Sequence, residues 1–100
     1  MTDRTDRELL DAFRRGDSAA FEELYHRHRD WAAGLARRVC GNREDALDVL
    51  QEAFAYVAQR AATLDLRASF RTFLYPVVKH RSIDKKRARR TLPTGPEPEA

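Results

Sequence analysis

"NREDALDVLQEAFAYVAQRAATL", residues 42–64, decides the fold class. Asn42 stands where a helix N-cap belongs, and Glu44 and Asp45 follow in the first turn, where the helix dipole favours negative charge. Ala46, Leu50, Ala53, Phe54, Val57, Ala61 and Leu64 then fall on one side at about 100° per residue, the period of an amphipathic helix. Glu44, Asp48, Gln51, Glu52 and Gln59 project from the other side. Such a helix buries one stripe and needs neighbours to bury it against.

The flanking sequence supplies them. Thr5 and Glu8 form a T-x-x-E capping box ahead of Leu9, Leu10 and Phe13, and Gly16 is a natural stop. Asp17 or Ser18 caps a longer helix whose stripe is Phe21, Leu24, Tyr25, Ala32, Leu35, Ala36 and Val39, ending at Cys40-Gly41-Asn42. "DLRAS", 65–69, reads as a connecting loop, with Ser69 or Asp65 as the next cap. Phe70, Phe73, Leu74 and Val77 begin a fourth helix that runs into a basic segment. Pro76 lacks the amide that would reach the Thr72 carbonyl, so a kink or a helix start near Tyr75 is expected. No strand alternation and no repeat occurs. The expectation is all-α: a compact bundle of three long helices plus a short N-terminal helix, over 1–90. Residues 91–100, "TLPTGPEPEA", read as a Pro-rich flexible tail or interdomain linker.

Composition narrows the function. A chain of 100 residues, 42% hydrophobic, can fill one core. The single Cys40 rules out an internal disulfide framework. No apolar run reaches the about 18 residues a membrane span requires, and the charged N-terminus lacks a secretory signal, so no membrane insertion and a cytoplasmic location are expected. His26 and His28 lie about 200° apart on a helix, and no CxxC or HExxH spacing exists, so no metal site is expected. With no glycine-rich phosphate loop and no GxSxG elbow, neither catalytic residues nor a cofactor are expected, and the chain is not read as an enzyme.

Two features carry content. Asp48, Gln51 and Glu52, at i, i+3 and i+4, cluster on the outer face of the third helix. They form either a solvated face or a surface for an arginine-rich partner, which pairs bidentately with carboxylates. The second feature is the region after it. Residues 79–90 hold Lys79, Arg81, Lys85, Lys86, Arg87, Arg89 and Arg90 against Asp84 alone, which is +6 in a chain of net charge +3. Phe70, Phe73 and Tyr75 immediately precede this block. Rings beside a positive groove suit single-stranded nucleic acid, unless the rings are simply core and the basic residues a solvated end.

The order of these features resembles region two of bacterial sigma factors of the extracytoplasmic-function type. The resemblance covers residues 9 to 90 and is carried by "LLDAFRRGDSAAFEELYHRH", "EDALDVLQEAF" at 44–54 and "SFRTFLYPVVKHRSIDKKRARR" from 69. It implies that Asp48, Gln51 and Glu52 bind the clamp helices of the β′ subunit of core RNA polymerase. It implies further that Leu64, Arg67, Ser69, Phe70, Arg71, Phe73, Lys79, His80, Arg81, Lys85, Lys86 and Arg87 contact promoter DNA, holding the non-template strand of the minus-ten element. An anti-sigma factor is a further implied partner.

The sequence also departs from the family pattern. Phe73 stands where tryptophan is usual, Leu64 where an aromatic often walls the pocket, His80 at a common asparagine position, and Pro76 at a basic or polar one. These changes bear on promoter melting more than on polymerase docking. The competing expectation is a sigma-like decoy or regulatory module that binds an anti-sigma factor or another protein without melting DNA. A generic duplex binder would need a helix-turn-helix pair, which the sequence lacks.

Overall fold

Each helix begins at a residue whose side chain answers an otherwise unpaired backbone amide. In the computed structural model, which describes residues 3–91, Thr5 Oγ1 accepts from Glu8 N at 3.1 Å and Glu8 Oε1 from Thr5 N at 2.7 Å, opening α1 (Asp6–Arg14). Asp17, rather than Ser18, caps α2 (Ser18–Cys40), accepting from Ala20 N at 3.3 Å. Asn42 caps α3 (Arg43–Arg60) through Asp45 N at 2.9 Å, and Ser69 caps α4 (Phe70–Thr91) through Thr72 N at 3.1 Å. Gly41 ends α2 at φ 84°, a left-handed conformation that costs glycine nothing.

Two boundaries differ from the sequence reading. α3 stops at Arg60, four residues before Leu64, and a turn follows. The connection that follows is held by α1: Arg14 donates to the carbonyls of Ala61 and Leu64, and Arg7 donates to that of Leu66. Side chains from 47 to 59 residues away thus serve carbonyls that no continuing helix pairs. The second difference is at Pro76, which sits inside an unbroken α4 rather than starting it. Proline orphans only the Thr72 carbonyl, and both residues are exposed, so water can serve that group. Meanwhile Phe70, Leu74, Val78 and Ser82, four apart and all buried, hold the helix on the core. Thr91 extends α4 by one residue into the segment read as a tail; the rest of that segment, 92–100, lies outside the described residues.

α2 is the central helix, packed against the other three. α4 lies beside it in the same direction, with His28 facing Phe70 and Cys40 Sγ reaching the Ser82 carbonyl at 3.7 Å. α3 runs opposite to both: Phe54 meets Phe70, and Asp45 meets Arg89. The core so enclosed includes Leu9, Leu10, Leu24, Val49, Val57, Phe70, Leu74 and Val78, each at most 1% exposed. Among the described residues it is an all-α bundle. No described helix is long and apolar enough to cross a membrane.

Candidate nucleic-acid interface

The acidic face of α3 and the basic block of α4 meet along one seam. Because the helices are antiparallel, carboxylates at 45, 48 and 52 face cations at 89, 85 and 81. Arg89 donates twice to Asp45, at 2.9 and 3.2 Å. Lys85 Nζ lies 3.1 Å from Glu52 and 3.8 Å from Asp48, and Arg81 lies 3.8 Å from Glu52. The Arg89 guanidinium, followed by the Asn42 amide, lowers the Asp45 carboxyl to about 2. The Glu52 carboxylate, hydrogen-bonded to Lys85, raises that ammonium above its ordinary value.

The acidic cluster is therefore not isolated, nor is the basic block a free end. Asp48 and Glu52 are exposed but already answered by α4, whereas Gln51 lies toward α2, lining a shallow depression with Phe21, Tyr25, Phe54, Ala55 and Ala58. Exposed ion pairs of this kind are weak, about 0 to 1 kcal/mol, and can be exchanged for a partner's groups.

Past the seam the two helices frame an aromatic hollow. Tyr56 of α3 stacks on Phe73 of α4, ring centroids 6.4 Å apart and planes 13° from parallel. The guanidinium groups of Arg60 and Arg81 sit 5.0 and 5.3 Å from the Tyr56 ring. A depression of about 350 Å³ is lined by Tyr56, Pro76, Val77, His80, Arg81 and Asp84. Tyr56 is absent from the sequence-derived set, because a tyrosine between core positions Phe54 and Val57 reads as the border of the stripe.

The other expected DNA contacts fall into three groups. Leu64 is half-buried against the core, and Arg67 is exposed beside Asp65 at 3.5 Å. Ser69 spends its hydroxyl on the α4 cap. Phe70 needs correction: at 1% exposure it packs on His28, Phe54 and Phe73, so it offers no face to a base and instead supports Phe73 from within. Arg71 lies on the opposite edge of α4, its Nε donating to His28 Nδ1 at 3.0 Å. Lys79 is exposed with Nζ 5.7 Å from the Tyr75 ring, and Lys86 and Arg87 are exposed near the helix end.

The fold and these surfaces define a sigma-type helical domain, and the chain belongs to the Sigma-70 region 2 family, whose model matches residues 24–91. It is 34% identical over 94 residues to the ECF RNA polymerase sigma factor SigM of Mycobacterium tuberculosis, covering 94% of this chain and 48% of that protein. It is 30% identical over 77 residues to the ECF RNA polymerase sigma factor SigW of Bacillus subtilis, covering 77% of this chain and 41% of that protein. The chain thus spans about half the length of the curated relatives it matches. An NMR structure of an engineered region 2 of sigmaE in complex with GTAAAA superposes with a TM-score of 0.79 at 30% identity, covering 91% of this chain and 98% of that one.

Proposed function

We propose that the chain docks on the β′ subunit of core RNA polymerase through Asp48, Gln51 and Glu52. It then holds the non-template strand of a minus-ten promoter element on the 61–69 connection and α4. The observation that carries this reading is the likeness, over nearly the whole chain, to a region 2 solved with a short DNA sequence. The hollow between Tyr56 and His80 supplies the matching chemistry: the Tyr56 ring, stacked on Phe73, for a base, with Arg60 and Arg81 beside it. On this reading the domain is a cytoplasmic binding module rather than an enzyme, needs no cofactor, and presents the same α3 surface to an anti-sigma factor. The decoy reading loses ground because a protein-only module has no use for that hollow.

Docking is tested by retention of core polymerase on the immobilised chain. Asp48→Asn with Glu52→Gln removes charge without adding bulk, and should weaken retention by about tenfold or more, as expected for charge-assisted hydrogen bonds. Equal retention contradicts the docking surface. For DNA, neutralising about three phosphates of a single strand gives a log-affinity against log-salt slope near −2. A slope near zero removes α4's electrostatic role.

A further inference from the structure

The seam between α2 and α4 carries a second group of aromatic and cationic side chains, on the edge of α4 away from Phe73 and His80. A depression of about 410 Å³ is lined by Trp31 of α2 and by Arg71, Thr72 and Tyr75 of α4. Tyr75 is 43% exposed, and Lys79, one turn on, holds its Nζ 5.7 Å from the Tyr75 ring centroid. The Arg71 guanidinium lies 5.0 Å from the Trp31 ring.

Arg71 is also braced from below. Its Nε donates to Nδ1 of the buried His28 at 3.0 Å. On the other side of that imidazole, Asp6 Oδ1 lies 2.9 Å from Nε2, a close electrostatic contact whose alignment falls short of a hydrogen bond. The partners of Arg71 are thus an imidazole and an indole rather than carboxylates. The contrast with the α3 seam is chemical. There Arg81, Lys85 and Arg89 face carboxylates, whereas Arg71 and Lys79 face rings and keep their charge for an incoming anion.

The exposed Tyr75 ring, beside the half-buried Trp31 and flanked by such cations, suits an unstacked base and its phosphate. The geometry points to a second single-strand subsite at Trp31, Arg71 and Tyr75, which takes a nucleobase against Tyr75 and Trp31 and the adjoining phosphate on Arg71 and Lys79. This rests on the proposed strand-binding role of α4 and extends it: the strand crosses the helix from the Tyr56–His80 side to the Trp31–Tyr75 side.

Trp31 is the chain's single tryptophan, so its emission reports on this subsite. The full chain is titrated with a single-stranded ten-nucleotide DNA carrying a minus-ten sequence, following anisotropy of an end-labelled strand and, separately, Trp31 emission with an unlabelled one. Binding should quench Trp31. Tyr75→Ala should weaken binding by about tenfold, the loss expected for one stacked base, and Tyr75→Phe should restore it. Binding by anisotropy with unchanged Trp31 emission and an unaffected Tyr75→Ala variant overturns the subsite and leaves the strand-binding reading standing. No anisotropy change for the wild type overturns that reading and the subsite with it.

Discussion

Asp45 shows how much one residue can be asked to do. It receives the Asn42 amide at the start of α3 and two hydrogen bonds from Arg89 near the end of α4, which together lower its carboxyl from an ordinary 3.8 to about 2. A folded-state value below the unfolded one means stabilisation that is complete above about pH 4 and is lost as pH falls toward 2. Carboxyl ¹³C shifts should therefore give a midpoint near 2 for Asp45, and Arg89→Gln should return it toward the ordinary value. Phe70 and Phe73 divide differently. Phe70→Ala should cost about 3 to 5 kcal/mol of stability in chemical denaturation, because its ring is fully enclosed. Phe73→Ala, half-buried, should cost clearly less and register in strand binding. At α4 the sequence left Ser69 and Asp65 open as caps, while the caps at Thr5 and Asn42 were legible in the sequence because they act within three residues. Which of two phenylalanines three apart is the inner one was not, since both face inward on α4 and the packing of α2 and α3 decides between them.

At the scale of elements, the α3–α4 seam links the two proposed activities. Glu52 is held by Lys85 and Arg81, so the groups read as polymerase contacts and those read as DNA contacts occupy each other in the isolated chain. Neutralising the acids with Asp48→Asn and Glu52→Gln should free Arg81 and Lys85. The salt slope for single-stranded DNA should then steepen by about 1 to 1.5, even as polymerase retention falls. An unchanged slope would show that both cations already reach the strand. The sequence revealed both charge sets but not their pairing, because antiparallel register between helices is a property of packing rather than of either helix alone. The 61–69 connection follows the same rule. Arg7 and Arg14 of α1 hold its carbonyls across gaps of 47 to 59 residues, and nothing local to either segment announces it. Arg14→Met should raise amide hydrogen exchange across 61–69 while the protection of α2 stays near its wild-type level.

Across the whole molecule, α2 anchors a bundle that leaves α3 and α4 side by side at the surface. The apolar stripes of 42–64 and 18–40 made that bundle readable from the amino-acid sequence, whereas on α4 the reading found Phe70 and Leu74 but named Phe73 and Val77, which are half-buried, in place of the buried Val78 and Ser82. What the stripes could not show is how the outward faces combine: an acid–base seam, a hollow between Tyr56 and His80, and an aromatic edge at Trp31 and Tyr75. Together these surfaces are proposed to hold an opened promoter strand beside polymerase. That role is tested by 2-aminopurine fluorescence at a minus-ten position of a promoter duplex mixed with core polymerase and the chain. The expected outcome is a rise in emission that needs both proteins and is abolished by Phe73→Ala combined with His80→Ala. Emission that stays at the duplex level while polymerase and chain are shown to be bound would contradict it.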